Sequence, residues 1–180
     1  NNSKTETNTV EVLDSINGYD YHLEDRDSEI YKETFFKLKE LLEKSETIEY
    51  EQYAKYIAEL FLIDFYTIEN KISKYDVGSL DFIYPEEKEK FQNKAMDTMY
   101  KMVLDNSTNT RKQDLPKVTK VDLKEPVSTT YPKGDKKLEG YTIDATISYQ
   151  KDLGYDKNVN LTLVKEENKI YVVKLTNPDA

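Results

Sequence analysis

No cysteine occurs anywhere in the chain, which excludes disulfides, thiolate metal sites and a cysteine nucleophile. Tryptophan is also missing, arginine occurs only at Arg26 and Arg111, and histidine only at His22. A single imidazole rules out any site within the chain that needs two. Two guanidinium groups all but remove the usual bidentate reader of phosphates and guanines. With a formal net charge of −9, the surface lacks the concentrated excess of Lys and Arg that displaces counterions, so nucleic acid is not an expected partner. The basic run Lys133 to Lys137 encloses Gly134 and Asp135 and reads as a solvated turn. Among only five glycines there is no phosphate-cradling loop, and no serine sits in a nucleophile elbow. No apolar run approaches the roughly 18 residues of a membrane span, and neither an initiator Met nor a signal-type apolar region is present.

What the chain does contain is enough to fold. Leu, Ile, Val and Phe together make up about a quarter of it, above the roughly 20% below which disorder sets in. A chain of this length buries roughly two thirds of its unfolded surface. Fifteen tyrosines suit half-buried positions, where a ring packs and its hydroxyl reaches water or backbone. The polar tract Asn1 to Thr9 has nothing to bury. It is expected to be a disordered tether behind a removed signal or lipid-anchor segment, the alternative being the frayed end of a cytosolic protein. Residues 10–180 are expected to form one domain.

The apolar residues set its elements. Val10, Val12, Leu13 and Ile16 form a short patch ended by Asn17-Gly18, expected to dock as a strand or short helix. After the acidic turn Glu24 to Asp27, with Asp27 or Ser28 as N-cap, Tyr31, Phe35, Leu38, Leu41 and Leu42 fall on one stripe of a helix over 28–44. A second helix begins near 48–50. In it Tyr53, Ile57, Leu60, Phe61 and Asp64 share a face, while Leu62, Ile63 and Phe65 make its last turns apolar nearly all round. A helix of that kind is covered on more than one side. Asp81 to Tyr84 reads as a short strand. Pro85 with Glu86 and Glu87 starts a third helix, with Phe91, Ala95, Met99, Met102 and Val103 inward and an end by Asn106.

Beyond Pro116 the period changes to 2. Tyr141, Ile143, Ala145, Ile147 and Tyr149 alternate with polar residues; Val159, Leu161 and Leu163 repeat the pattern, and Ile170 to Leu175 follows the turn at Glu166 to Asn168. Val118 to Val127 is a fourth, less regular strand. The expected fold class is α+β: three N-terminal helices within about 28–104, packed on a curved antiparallel sheet of about four strands within about 117–176.

Few residues invite chemistry. Asp64 lies within the apolar run, so if buried it needs a raised pKa or a specific hydrogen-bond partner. It is the one acid–base candidate, with a carboxylate bonded to a Tyr hydroxyl or a backbone amide as the plainer reading. Asp25, Asp27 and Glu29, with Asp20 near, alternate as calcium ligands do, but the central glycine and distal glutamate of a calcium loop are missing. Helix capping accounts for them, and neither metal nor cofactor is expected. Tyr66, Asn70, Lys71, Tyr75, Asp76 and Asp81 cluster after the central helix; of these Tyr66, Asn70, Tyr75 and Asp81, together with Tyr84, are the expected ligand-binding residues.

The order of elements in the helices at Tyr31 to Leu42 and Tyr53 to Tyr66, the segment Asp81 to Tyr84, the Pro85-started helix and the strands Thr142 to Tyr149 and Asn158 to Val164 resembles the NTF2-like (cystatin-like) cone. Leu60 to Thr67, Asn70-Lys71 and Asp76-Val77-Gly78 are similar to stretches of uncharacterised surface lipoproteins from low-GC Gram-positive bacteria. The resemblance implies an extracytoplasmic, membrane-anchored lipoprotein whose only link to the membrane is its removed N-terminal anchor. It further implies a non-catalytic domain that binds a protein partner or a small ligand, with a homodimer through the sheet as a further option. The alternative it carries is a ligand carrier or isomerase-like enzyme with Asp64 in the cone pocket.

Overall fold

The computed structural model describes residues 6–179. Helices α1 (Glu29–Lys44), α2 (Tyr50–Tyr66) and α3 (Lys88–Asp97) pack on an antiparallel sheet. Its strands are β3 (Val118–Leu123), β4 (Val127–Lys133), β5 (Lys136–Tyr149), β6 (Asn158–Glu166) and β7 (Lys169–Thr176). Ahead of α1 a small hairpin pairs β1 (Val12–Ser15) with β2 (His22–Glu24). The α+β class is as expected, with five strands in the main sheet where about four were expected.

The extra strand is β4. The expected strand Val118 to Val127 is β3, ending at Leu123, and β4 begins only at its last residue; β3 and β4 both pair with the same edge of the 14-residue β5, β3 along its C-terminal half and β4 along its N-terminal half. Glu125-Pro126 separates them, and Pro126 has no N–H to give a ladder. The residues of β4 are mostly exposed, so no alternation betrays it. On the outer face of the sheet Leu138, Val164 and Tyr84 make a small second cluster.

Helix α2 runs between the layers. Leu60, Phe61, Leu62, Ile63, Phe65 and Tyr66 are all buried, with α1 on one side and β3, β5, β6 and β7 below. The all-round apolar end is thus enclosed as its composition demands.

Three segments depart from expectation. The first patch does form a strand, β1, but of its apolar residues only Ile16 is buried, while Val12 and Leu13 are each 57% exposed. Asp81 to Tyr84 is not a strand. It is a 3₁₀ turn over Leu80–Phe82, after which Ile83 makes a single parallel bridge to Val172 of β7. The third helix ends early. Pro85 opens a 3₁₀ turn, α3 proper stops at Asp97, and Met102 is 74% exposed instead of facing inward. Tyr100 decides this: it is wholly buried, and its hydroxyl donates to Phe65 O at 2.7 Å and accepts from the Gly78 N–H at 3.2 Å. Continuing the helical stripe of Phe91 and Ala95 through Met102 would turn Tyr100 outward, so the helix unwinds at Thr98.

Of the expected tether, residues 1–5 lie outside the described residues, as does residue 180 of the expected domain. Asn8 is fastened to the body, its N–H donating to Ser107 O at 2.7 Å and its side-chain amide to Asn106 O at 3.1 Å. Among the described residues no helix is long and apolar enough to cross a membrane.

Candidate functional site

Two cavities flank the C-terminal half of α2. The first, of about 200 Å³, is a polar cleft between the β1–β2 hairpin, the start of α1 and the 76–82 segment, and Asp64 opens onto it from α2. The second, of about 560 Å³, lies between α3 and β7.

The polar cleft is built from ion pairs. Lys71 is only 1% exposed. Its ammonium donates to Asp64 Oδ1 at 3.0 Å, Thr67 O at 2.8 Å and Asn70 Oδ1 at 2.7 Å, so all three protons are used. The second oxygen of Asp64 accepts the Ser79 N–H at 2.7 Å. To make that bond Ser79 holds a left-handed backbone, φ 66°, and its hydroxyl donates to Phe61 O at 2.7 Å. Gly78 allows the approach, because a Cβ there would stand 2.6 Å from the Asp64 carbonyl oxygen. Asp64 thus has specific partners, as its position required, in a lysine and a backbone amide.

Opposite it, the Arg26 guanidinium grips Asp76 through two bonds, of 2.5 and 3.1 Å. The same group bonds Glu24 Oε1 at 3.1 Å and Asn70 O at 3.1 Å. Burial opposes the charge on Arg26, but Asp76 and Glu24 more than offset it. Burial likewise pushes the Asp76 carboxyl up, and the Arg26 bond overrides it to leave Asp76 below the usual range. His22 sits 3.2 Å from Asp81 and 3.4 Å from Glu24. Its bonds to Asp81 first and Glu24 second raise it to about 10, so it is an imidazolium at neutral pH. The bond from His22 also holds Glu24 below the usual carboxylate range.

Asp27 differs from these. Its Oδ2 accepts the Glu24 N–H at 2.7 Å, but among the described residues no cation pairs with it, and burial pushes it up to about 7. Ser28 is the N-cap of α1 by backbone, yet neither it nor Asp27 caps the helix through its side chain. The Ser28 hydroxyl is buried without a partner.

The larger cavity is mostly apolar. Phe65 and Tyr66 of α2, Phe91 and Met99 on the α3 side, and Ile83 and Val172 on the sheet side form its walls, with Lys90, Lys94 and Lys174 also lining it. The Tyr66 hydroxyl donates to Asp156 Oδ2 at 2.7 Å, and Asn177 donates to the other oxygen of Asp156 at 2.6 Å. Burial, and then Asp156, keep the Tyr66 phenol protonated far above its ordinary range.

The five residues expected to bind ligand are therefore dispersed. Tyr66 lines the apolar cavity and Asp81 the polar cleft. Asn70 stands behind the cleft, holding Lys71 and donating to Arg26 O at 3.1 Å. Tyr84 is buried on the outer face of the sheet, its hydroxyl bonded to Glu166 and its ring 4.6 Å below the Lys133 ammonium. Tyr75 is 65% exposed and lines neither cavity. Sequence reasoning passed over the place of Tyr31 in the cleft, Asp27 as a half-buried acid without a cation, and the cavity role of Phe91 and Met99. The helical stripe marked Tyr31, Phe91 and Met99 only as core. Among the described residues no three His, Cys, Asp or Glu side chains are grouped to hold a metal ion.

Comparison with known protein families, with curated proteins and with solved structures found no match to this chain. Function has to be read from the two cavities.

Proposed function

We propose that the protein is a non-catalytic binding domain on an NTF2-like frame, which takes a small apolar ligand with an anionic end in the cavity between α3 and β7. The observation that carries this reading is the cavity itself. Its volume of about 560 Å³ falls within the range of roughly 300–1,000 Å³ typical of ligand sites, its walls are mostly aromatic and aliphatic, and three lysines line it against the two carboxylates of Glu87 and Asp156. Electrostatics favour an anionic group beside those ammonium ions.

A binding role is supported over an acid–base one by the state of the carboxylates. Asp64 and Asp156 each accept a donor on both oxygens, so both carboxylates are engaged in holding elements of the fold together. In the same reading the domain works outside the cytoplasm, held to the membrane through its N-terminal side. Fractionation of the source cells tests that part alone, and recovery in the cytosol would overturn it.

Dodecanoate titrated into the protein by calorimetry tests the site. Ala95, buried on α3 and lining the cavity, is the place to block it. Ala95→Phe should abolish dodecanoate binding while the far-UV circular dichroism is kept. A folded Ala95→Phe protein that binds as before, or a wild type that binds nothing, sinks the proposal; a protein partner on the exposed sheet would then take its place.

A further inference from the structure

The polar cleft plays no part in that reading. Its charges pair off in order: Asp64 with Lys71, Asp76 with Arg26, Asp81 with His22, and Glu24 between His22 and Arg26. Asp27 is left over, a half-buried carboxylate with one backbone donor and no ion-pair partner among the described residues, Lys71 being committed to Asp64. Such a group is costly to bury alone.

A second, independent feature points the same way. Tyr31, in the first turn of α1, is only 5% exposed and lines this cleft, yet its hydroxyl makes no hydrogen bond among the described residues. After burial itself, the charges that keep this phenol protonated are those of Asp64, Asp27, Asp81 and Glu24, all cleft residues, which sets the hydroxyl on the cleft side. The ring is packed away while the oxygen opens into the cleft: among the described residues the one sealed, unpartnered side-chain oxygen is Ser28 Oγ.

We infer that the cleft is a binding site for a small organic ammonium ion, whose N–H groups donate to Asp27 and to the oxygen of Tyr31. An ammonium group supplies both missing complements at once: positive charge for Asp27 and a donor for Tyr31. The rings of Tyr21 and Phe82 also line the cleft and provide faces that attract a cation. The surplus of carboxylate over cation repels an anion. The scattered acids, with no three grouped around one point among the described residues, suit an ammonium better than a metal ion. A cavity of about 200 Å³ compares with the ~150 Å³ that admits benzene, so the ligand has about ten non-hydrogen atoms or fewer.

Benzylamine, protonated at pH 8, is a probe of that size, with benzyl alcohol and benzoate as its neutral and anionic counterparts and calcium chloride as the metal control. Calorimetry and thermal melting of the full chain are expected to show benzylamine binding and a rise in melting temperature, with no comparable effect from the other three. Asp27→Asn should weaken benzylamine by at least about tenfold and Tyr31→Phe should weaken it several-fold, both with unchanged circular dichroism. Should Asp27→Asn fail to fold, Tyr31→Phe decides. Equal binding of benzyl alcohol, a folded Tyr31→Phe protein with wild-type affinity, a calcium response lost in Asp27→Asn, or no benzylamine binding at millimolar concentration would each overturn the inference. Dodecanoate binding at the other cavity is unaffected by either variant, so the two proposals stand or fall separately.

Discussion

Lys71 shows how an ionisable group is tolerated in an apolar setting. Its ammonium has three acceptors, one of them the Asp64 carboxylate, and removing it leaves the largely buried Asp64 without its counter-charge. Lys71→Ala should therefore destabilise the fold by about 3–5 kcal/mol, read from denaturant midpoints. A loss below about 1 kcal/mol would show that Asp64 does not depend on the pair. Asp27 makes the opposite prediction. Burial raises its carboxyl from 3.8 to about 7, so between those values the folded state holds a proton that the unfolded state has released. Stability from this residue consequently falls as pH rises from about 4 to about 7 and is flat above. Asp27→Asn removes that penalty. It should stabilise the protein by about 1–3 kcal/mol at pH 8 and by much less at pH 4; a gain independent of pH would refute the assignment. His22 carries the reverse sign for a base: raised from 6.5 to about 10, it adds stability below about 6.5 that is lost as pH climbs toward 10.

Among the elements, the short α3 and the long β5 depend most on contacts outside themselves. Tyr100 replaces two turns of regular helix by one buried ring whose hydroxyl joins Phe65 O to the Gly78 N–H. Tyr100→Phe keeps the ring and removes both bonds, at an expected cost of about 1–3 kcal/mol for the backbone groups left unpaired. An unchanged melting temperature would assign the ending of α3 to local sequence instead. Gly140 is where β5 presses on β6, since a Cβ there would run into the Leu163 carbonyl oxygen. Val159, Leu161 and Leu163 were legible as a strand because each faces the core. Strand β4 was not, because a strand with one paired edge and little burial carries no hydrophobic period.

The molecule as a whole is one core wrapped around α2, with the β1–β2 hairpin buckled to the loop after α2 by Arg26, Asp76 and Asn70. Its net charge of −9 spreads repulsion over the compact state, so screening should help it. Raising salt from low to physiological strength is expected to lift the melting temperature by about 2–4 °C, whereas a fall would mean that surface ion pairs outweigh the general repulsion. Composition and periodicity were sufficient for the α+β class, for the bounds of α1 and α2 within two residues, and for the enclosure of the end of α2, because these follow from short-range spacing and apolar content alone. They also singled out Asp64 as a residue in need of a partner. Which partner it has, where α3 stops, how β3 and β4 share an edge of β5, and which of Tyr66, Asn70, Tyr75, Asp81 and Tyr84 reach a cavity were decided only by the tertiary structure. Those outcomes depend on contacts between distant parts of the chain, as Arg26 with Asp76 and Tyr66 with Asp156 illustrate, and no local pattern of residues encodes the distance across a fold.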